Sequence, residues 1–212
     1  MFLRAISIIS SMTLISRVLG YARDLLIAKV LGAGLISDAF FIAFKLPNLF
    51  RRLFAEGSMN SAFIPVISGI SEKSGKKKSD EFFSSIFSGL LIFLLIIVLV
   101  AEIFMPLIIN LIAPGFNNSP EKFSLAVDLS RLTFPFVLFV CLTSLAGAYL
   151  NTLGRFAAMA LTPIILNLTM IFTLMVFLND GNKIYISNNL SLSISIAGIF
   201  QVLWIIFNLK VN

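Results

Sequence analysis

The sequence contains no histidine and a single cysteine, Cys141, among its 212 residues. A disulfide within one chain needs two cysteines, and the common tetrahedral zinc sites need clusters of cysteine and histidine. The lack of histidine also excludes histidine-based acid–base catalysis. Cys141 lies in an apolar run, where it fits best as a small buried or lipid-facing side chain. We therefore expect no metal site and no cofactor.

Charged residues are scarce as well. They make up 12% of the chain, about half the share that is usual in soluble domains. Hydrophobic residues make up 58%, and the mean hydropathy is +1.02, which indicates an integral membrane protein. The net charge of +6 does not indicate nucleic-acid binding here, because the cytoplasmic loops of membrane proteins carry an excess of lysine and arginine.

Six segments are long and apolar enough to cross a bilayer, which takes about 20 residues in a helix. The fold is therefore predicted to be all-α, with residues 1–212 forming one polytopic six-helix bundle. Pro47, Gly57 and Pro65 interrupt the long second segment, which predicts kinks or a broken helix there. The spans are expected at about 5–31, 36–70, 82–112, 126–150, 156–178 and 190–209.

The segments between the spans predict the topology. Residues 32–34 read Gly-Ala-Gly and predict a tight turn, and residues 72–81 predict a polar loop rich in lysine. With the N-terminus inside the cell, the inner loops carry seven lysine or arginine residues and the outer loops two. This positive-inside bias predicts that both termini are cytoplasmic.

The first two spans carry nine charged residues, which are Arg17, Arg23, Asp24, Lys29, Asp38, Lys45, Arg51, Arg52 and Glu56. A charge at the bilayer centre costs about 2.5–3.5 kcal/mol on insertion scales. We therefore expect these side chains to line a cavity enclosed by protein and filled with water. Residues 1–62 contain seven basic against three acidic residues, so such a cavity is cationic and suggests an anionic cargo.

Helical spacing sorts these residues into faces. One stripe on the second span consists of Asp38, Lys45 and Arg52 and is extended by Glu56, while Arg17 and Asp24 share a face of the first span. Arg23 and Arg51 lie about 100° around the helix from these stripes. The planar fork of arginine suits bidentate contact with phosphate oxygens.

A second interpretation stays open. The charges could pair with one another and simply hold the bundle together. Three carboxylates can neutralise three cations, but the two spans carry six. Some of the cations, Lys29 above all, lie near a helix end, from which a long side chain can reach the membrane interface.

Several motifs carry a resemblance to a known family. They are SSMTLISRVLGYARD at 10–24, GAG at 32–34, SDAFFIAFKLPNLFRRLFAEG at 37–57, APGF at 113–116, TFPF at 133–136 and LNTLGRF at 150–156. In these motifs the chain resembles the MurJ (MviN) family of lipid II flippases, which is related to multidrug exporters of the MATE type. The resemblance extends over essentially the whole chain.

The resemblance implies a function and a site. Family members move the undecaprenyl-pyrophosphate-linked peptidoglycan precursor, lipid II, across the bacterial inner membrane by alternating access between two lobes. It implies that Arg17, Arg23 and Arg51 or Arg52 hold the pyrophosphate and the sugar headgroup, and that Asp38 orients an arginine or tunes a gate. Asp24, Lys45 and Glu56 would support this network, and the partners would be lipid II and membrane lipids.

The resemblance also implies that a part is missing. Family members have fourteen spans in two six-helix lobes and two extra helices, whereas this chain corresponds to the first lobe. Alternating access needs a second lobe, so we expect that the chain alone does not flip lipid and that another chain could supply the rest.

Three other functions are left open at this stage. The cargo could be another anionic lipid-linked oligosaccharide, or the chain could be an inactive remnant or an assembly partner in the membrane. An enzyme acting on prenyl phosphates is disfavoured, because such enzymes usually need clustered carboxylates for Mg²⁺ or a histidine. The chain also contains no GxxxxGK[ST] motif for ATP, so we expect a transporter rather than an enzyme.

Overall fold

The computed structural model describes residues 2–51 and 59–210. In this part of the chain there are ten α-helices, one short 3₁₀ helix and no strand, so the all-α prediction is confirmed. The α-helices are α1 (Phe2–Leu31), α2 (Leu35–Phe50), α3 (Met59–Ser74), α4 (Lys76–Ile103), α5 (Met105–Ile112), α6 (Pro120–Thr133), α7 (Phe136–Thr152), α8 (Phe156–Ala160), α9 (Thr162–Val176) and α10 (Lys183–Lys210). The 3₁₀ helix spans Pro114–Asn118.

Four helical stretches within the described residues are long and apolar enough to cross a membrane. They are Lys76–Ile103, Pro120–Thr152, Phe156–Val176 and Lys183–Lys210. The second joins α6 to α7, and the third joins α8 to α9. Helix α1 has 30 residues but carries the charges described above. The six-span count, the cytoplasmic location of both termini and the assignment of 1–212 to one lobe stay predictions.

Glycine fixes two of the turns between helices. The predicted turn at 32–34 is confirmed, with φ of +71° at Gly32 and +143° at Gly34, values that only glycine adopts readily. The predicted polar loop at 72–81 is wrong, because α3 and α4 are separated by Gly75 alone. Lysine and glutamate are good helix formers, so their polarity does not end a helix; Gly75, with φ of +83°, does.

Proline accounts for most of the other divisions between helices. Predicted span 82–112 divides at Phe104, directly before α5 with Pro106 in its first turn. Predicted span 126–150 divides at Phe134 and Pro135, between α6 and α7. Predicted span 36–70 comprises α2 and α3, although Pro47 and Pro65 both lie inside these helices.

Helix α7 lies at the centre of the bundle, where nearly every residue from Phe136 to Leu150 is buried. Helix α10 packs against α7 and α9, α2 packs against α6, and α3 packs against α4 and α7. Helix α1 packs mainly on α9 and touches α2 at only a few positions. The outward face of α4 is apolar, with Leu99 and Ile103 more than half exposed, as expected for a surface in contact with lipid.

Side-chain donors from α10 tie neighbouring helices together. Gln201 Nε2 donates to Thr162 O at 2.8 Å, and Trp204 Nε1 donates to Ala158 O at 3.0 Å. At the other end of α10, Lys183 Nζ donates to Leu31 O at 3.0 Å, which caps the last turn of α1. Leu31 and Ala158 lie in the last turns of α1 and α8, where carbonyls lack a helical partner and are costly in an apolar environment, so the bonds to them stabilise the bundle.

A close approach between α10 and α7 gives a test of the packing. A Cβ added at Gly198 of α10 would lie 2.8 Å from Phe139 Cβ and 2.9 Å from Phe136 Cδ2 on α7. We expect Gly198→Ala to lower the free energy of unfolding by about 1–3 kcal/mol. The added methyl group would overlap side-chain atoms of Phe136 and Phe139, so α7 must move away from α10. The measurement is the thermal denaturation midpoint of the purified chain in detergent.

Gly89→Ala on α4 is the matched control, because a Cβ at that position meets nothing within 4 Å. It carries the same gain in helix propensity, about 1 kcal/mol, without the steric cost. Equal midpoints for the two variants would contradict the predicted overpacking at Gly198.

Candidate functional site

Two adjoining cavities, which we call the cleft, lie beside α1. The larger, of about 600 Å³, is lined by α1, α2 and α9. The smaller, of about 440 Å³, extends between α1, α7, α8, α9 and the Gln201 position of α10. Five residues line both cavities, namely Ser16, Arg17, Arg51, Pro163 and Leu166. Because α1 and α2 hardly touch, the cleft occupies the space between them.

Four of the predicted site residues meet in the larger cavity. Arg17, Arg23, Lys45 and Arg51 line it, and the described lining residues include no carboxylate. Arg17 and Lys45 are exposed, whereas Arg23 and Arg51 are partly buried. The charged faces of α1 and α2 therefore flank a cationic space rather than packing against each other.

Arg23 is held in place by three neighbours. Its Nε and Nη2 donate to Asp24 Oδ1 at 2.9 and 2.7 Å, and its Nη1 donates to Asn167 Oδ1 at 2.8 Å. The guanidinium also lies 5.1 Å from the ring centroid of Phe44 on α2. A guanidinium has five N–H groups, so these contacts fix its orientation and leave two N–H groups for a ligand or for water.

Asn167 of α9 is the site residue that spacing did not predict. Its Nδ2 donates to Ser16 O at 2.9 Å while its Oδ1 accepts the bond from Arg23, so it joins α9 to α1 at two points. Only 5% of its surface is exposed. A signal was present in the sequence, because a polar residue inside an apolar span is expensive and often functional, and Asn167 interrupts the run of Ile165, Leu166 and Leu168.

Asp38 lies away from the cleft, in the first turn of α2. Its Oδ2 accepts a bond from Lys122 Nζ at 2.5 Å, and Lys122 in turn lies 4.4 Å from the ring centroid of Phe116. The helix dipole favours an acidic residue at this end of α2. The predicted stripe is thus divided, since Lys45 lines the cleft and Asp38 joins α2 to the start of α6.

The remaining predicted residues are accounted for as follows. Asp24 pairs with Arg23 and is 58% exposed. Arg52 and Glu56 lie outside the described residues.

The smaller cavity presents neutral hydrogen-bonding side chains, among them Thr13, Ser144 and Gln201. Within the described residues, no group of three or more cysteine or acidic residues is arranged to hold a metal ion.

The fold defines a class, a polytopic helical membrane protein, here with a cleft lined by basic side chains between its helices. A family model described as "Lipid II flippase MurJ" matches residues 27–212. The chain belongs to the MurJ family of lipid II flippases. This confirms the resemblance noted in the sequence motifs and the location in the bacterial inner membrane, and the family is one of transporters rather than of enzymes.

Individual relatives match nearly the whole chain. A probable lipid II flippase MurJ of Rickettsia prowazekii is 42% identical over 205 residues, which are 96% of this chain and 39% of the relative. One from Buchnera aphidicola of Acyrthosiphon pisum is 41% identical over 96% of this chain and 40% of its own length.

A solved structure of the lipid II flippase MurJ in an inward closed conformation is also similar. It matches with a TM-score of 0.79 and 35% identity over 95% of this chain and 41% of that structure. The chain therefore spans about two-fifths of the length of the relatives that it matches.

The two hydrogen bonds by which Asn167 joins α9 to α1 give a second test. We expect Asn167→Ala to lower the free energy of unfolding by about 1–2 kcal/mol, because it removes one interhelix bond to Ser16 and one to the Arg23 guanidinium. Asn189→Ala is the matched control, since Asn189 Nδ2 bonds only Tyr185 O within its own helix. The measurement is the thermal denaturation midpoint of each variant. An equal loss of stability in the two variants would contradict a stabilising role of Asn167 between α9 and α1.

Proposed function

We propose that this chain forms the N-terminal lobe of a lipid II flippase and that the cleft receives the pyrophosphate of the lipid-linked cargo. One observation carries the proposal: Arg17, Arg23, Lys45 and Arg51 line a single cavity. Membership of the MurJ family supports the identity of the cargo.

The chemistry of the cleft fits a pyrophosphate. Guanidinium forks bind phosphate oxygens in pairs, and charge-assisted bonds of this kind are about twice as strong as neutral ones. Arg23 is oriented in advance by Asp24 and Asn167, which lowers the entropic cost of binding. The neutral side chains of the smaller cavity would face the sugar portion, whose hydroxyl and amide groups need hydrogen bonds rather than charge.

Transport needs more than this lobe. In alternating access one half of a transporter rocks against the other around a binding site near the bilayer midplane. The chain spans about two-fifths of the relatives, so we propose that the rest of the transporter, in the same polypeptide or in a separate chain, supplies the opposing surface. Lipid II and the surrounding membrane lipids are the proposed partners.

A bacterium depleted of its own lipid II flippase tests this function. The 212-residue chain is expressed alone, fused to the remaining part of a related flippase, or together with that part as a separate chain, and lipid II in the outer leaflet is measured. We expect export only when the remaining part is present. Export by the chain alone would contradict the two-lobe mechanism, and no export in any arm despite membrane insertion would favour a non-transporting protein.

The cleft residues are tested in the completed transporter. We expect Arg17→Ala, Arg23→Ala and Arg51→Ala each to lower the export rate by about 10- to 100-fold, because each removes charge-assisted bonds worth about 1.5–3 kcal/mol. Lys29→Ala is the matched control, since Lys29 lies exposed in the last turn of α1 and does not line the cleft. Normal export by all three arginine variants would remove the basis for the cationic site.

Asp38 has a separate proposed role. Through its bond to Lys122 it would hold the end of α2 against α6 and so contribute to a gate. We expect Asp38→Lys or Lys122→Asp alone to reduce export, and the double reversal to restore most of it because the pair reforms. Failure of the double variant to exceed the single variants would contradict a role for this ion pair.

A second candidate cargo is another anionic lipid-linked oligosaccharide. The same cations would accept any lipid pyrophosphate, so the discrimination must come from the sugar. Competition between lipid II and a lipid pyrophosphate with different sugars, measured as export in the completed transporter, separates the two.

A further inference from the structure

Thr133 makes a hydrogen bond that the proposed binding site does not explain. It is the last residue of α6, is fully buried, and begins the TFPF motif at 133–136. Its Oγ1 donates to Ala43 O of α2 at 2.8 Å and lies 3.2 Å from Ser130 O of its own helix. A hydroxyl has one hydrogen to donate, and the shorter distance assigns it mainly to Ala43.

The acceptor of this bond has lost its helical partner. The carbonyl of residue 43 would normally accept from the N–H of residue 47, but Pro47 has none. Inside a membrane such a freed carbonyl is costly, and hydroxyls of neighbouring helices are among the groups that can satisfy it. Thr133 Oγ1 thus donates to Ala43 O the hydrogen bond that residue 47 cannot donate.

A second contact joins the same two segments. Phe134, which follows Thr133 and is 1% exposed, packs edge to face on Phe50 with ring centroids 5.5 Å apart. Phe50 is the last residue of α2, three positions after Pro47. The end of α6 therefore holds α2 on both sides of the proline, once through a hydrogen bond and once through a ring contact.

The held segment carries part of the cleft. Lys45, Asn48 and Arg51 line the larger cavity, and they lie within four positions of Pro47 on either side. A proline inside a helix allows the two halves to change their relative angle, which would move these side chains relative to Arg17 and Arg23 on α1.

We propose that Thr133 is a positioning residue, whose hydroxyl replaces the missing Pro47 N–H and fixes the part of α2 that presents Lys45, Asn48 and Arg51 to the cleft. The consequence for ligand binding rests on the proposed function of the cleft. The consequence for the geometry of α2 does not.

A double-substitution experiment isolates this bond. Thr133→Val removes the donor at nearly constant volume, Thr133→Ser keeps it, and Pro47→Ala restores the backbone N–H that makes it unnecessary. Thr133→Val is made both with Pro47 present and with Pro47→Ala. Thr169→Val is the matched control, because Thr169 Oγ1 donates only to Ile165 O within α9.

The geometry is measured on the full 212-residue chain in lipid nanodiscs. Spin labels at Leu49→Cys on α2 and Leu203→Cys on α10, both half or more exposed, report the interhelix distance by pulsed electron paramagnetic resonance in a Cys141→Ala background. We expect Thr133→Val to shift or broaden the distance distribution beyond Thr169→Val, and Thr133→Ser to match the native distribution. With Pro47→Ala present, Thr133→Val should cause no further change.

Two outcomes would overturn the proposal. One is an unchanged distribution in Thr133→Val with Pro47 present. The other is the same change with and without Pro47, which would assign the effect to packing or to the bond with Ser130.

Binding is measured on the same Thr133 and Pro47 variants without spin labels, because Leu49 lines the larger cavity, with inorganic pyrophosphate as the probe. We expect Thr133→Val to weaken pyrophosphate binding about threefold to tenfold. This is the change in the dissociation constant that corresponds to the loss of one hydrogen bond. A changed distance distribution with no pyrophosphate binding in any sample would leave the positioning role of Thr133 intact and count against the proposed function of the cleft.

Discussion

The cost of placing charge in hydrocarbon determines the arrangement of this chain. Each cation on α1 or α2 that faced lipid at the bilayer centre would cost about 2.5–3.5 kcal/mol. The fold avoids this cost by keeping α1 away from α2 and leaving a cleft between their charged faces. Helix α1 must then be held by another element, and α9 does so through the bonds of Asn167 to Ser16 and Arg23. The cleft depends on that contact.

The same environment constrains the backbone, and here the end of α6 has two roles. Pro47 deprives Ala43 of a donor, and Thr133 supplies one. Near the division between α6 and α7, Ser195 of α10 donates to Leu132 O at 2.6 Å. The last turn of α6 therefore accepts a bond from α10 and donates a bond to α2. At Pro47 the loss of a backbone donor and an interhelix hydrogen bond therefore occur at the same place.

Much of the fold followed from the sequence because hydrophobic length and glycine turns are local properties. The all-α class and the turn at 32–34 needed no tertiary information. The predicted loop at 72–81 is wrong, since polarity indicates where a chain leaves the membrane and not where a helix ends. Helix α3 ends directly before Gly75, which has a positive φ, and the charge pattern does not indicate this position.

The site was predictable only in part. Hydrophobic cost identified Arg17, Arg23, Lys45 and Arg51 as cavity residues, and the structure brings them together. Helical spacing grouped Asp38 with Lys45, but seven residues along a helix also move a side chain by about 10 Å along the axis, far enough for Asp38 to meet Lys122 instead. The charge pattern does not reveal Asn167, because an uncharged amide oxygen can also accept a hydrogen bond from a guanidinium.

The placement of the described carboxylates bears on the two interpretations of the charge pattern. If the charges served only to pair with one another, Asp24 and Asp38 would both neutralise cations of the cleft. Asp24 does so with Arg23, but Asp38 is paired outside it with Lys122. Within the described residues, the cleft therefore keeps more cations than carboxylates. Such a surplus in a membrane is stabilised when an anion enters, and it supports the proposed binding of an anionic cargo.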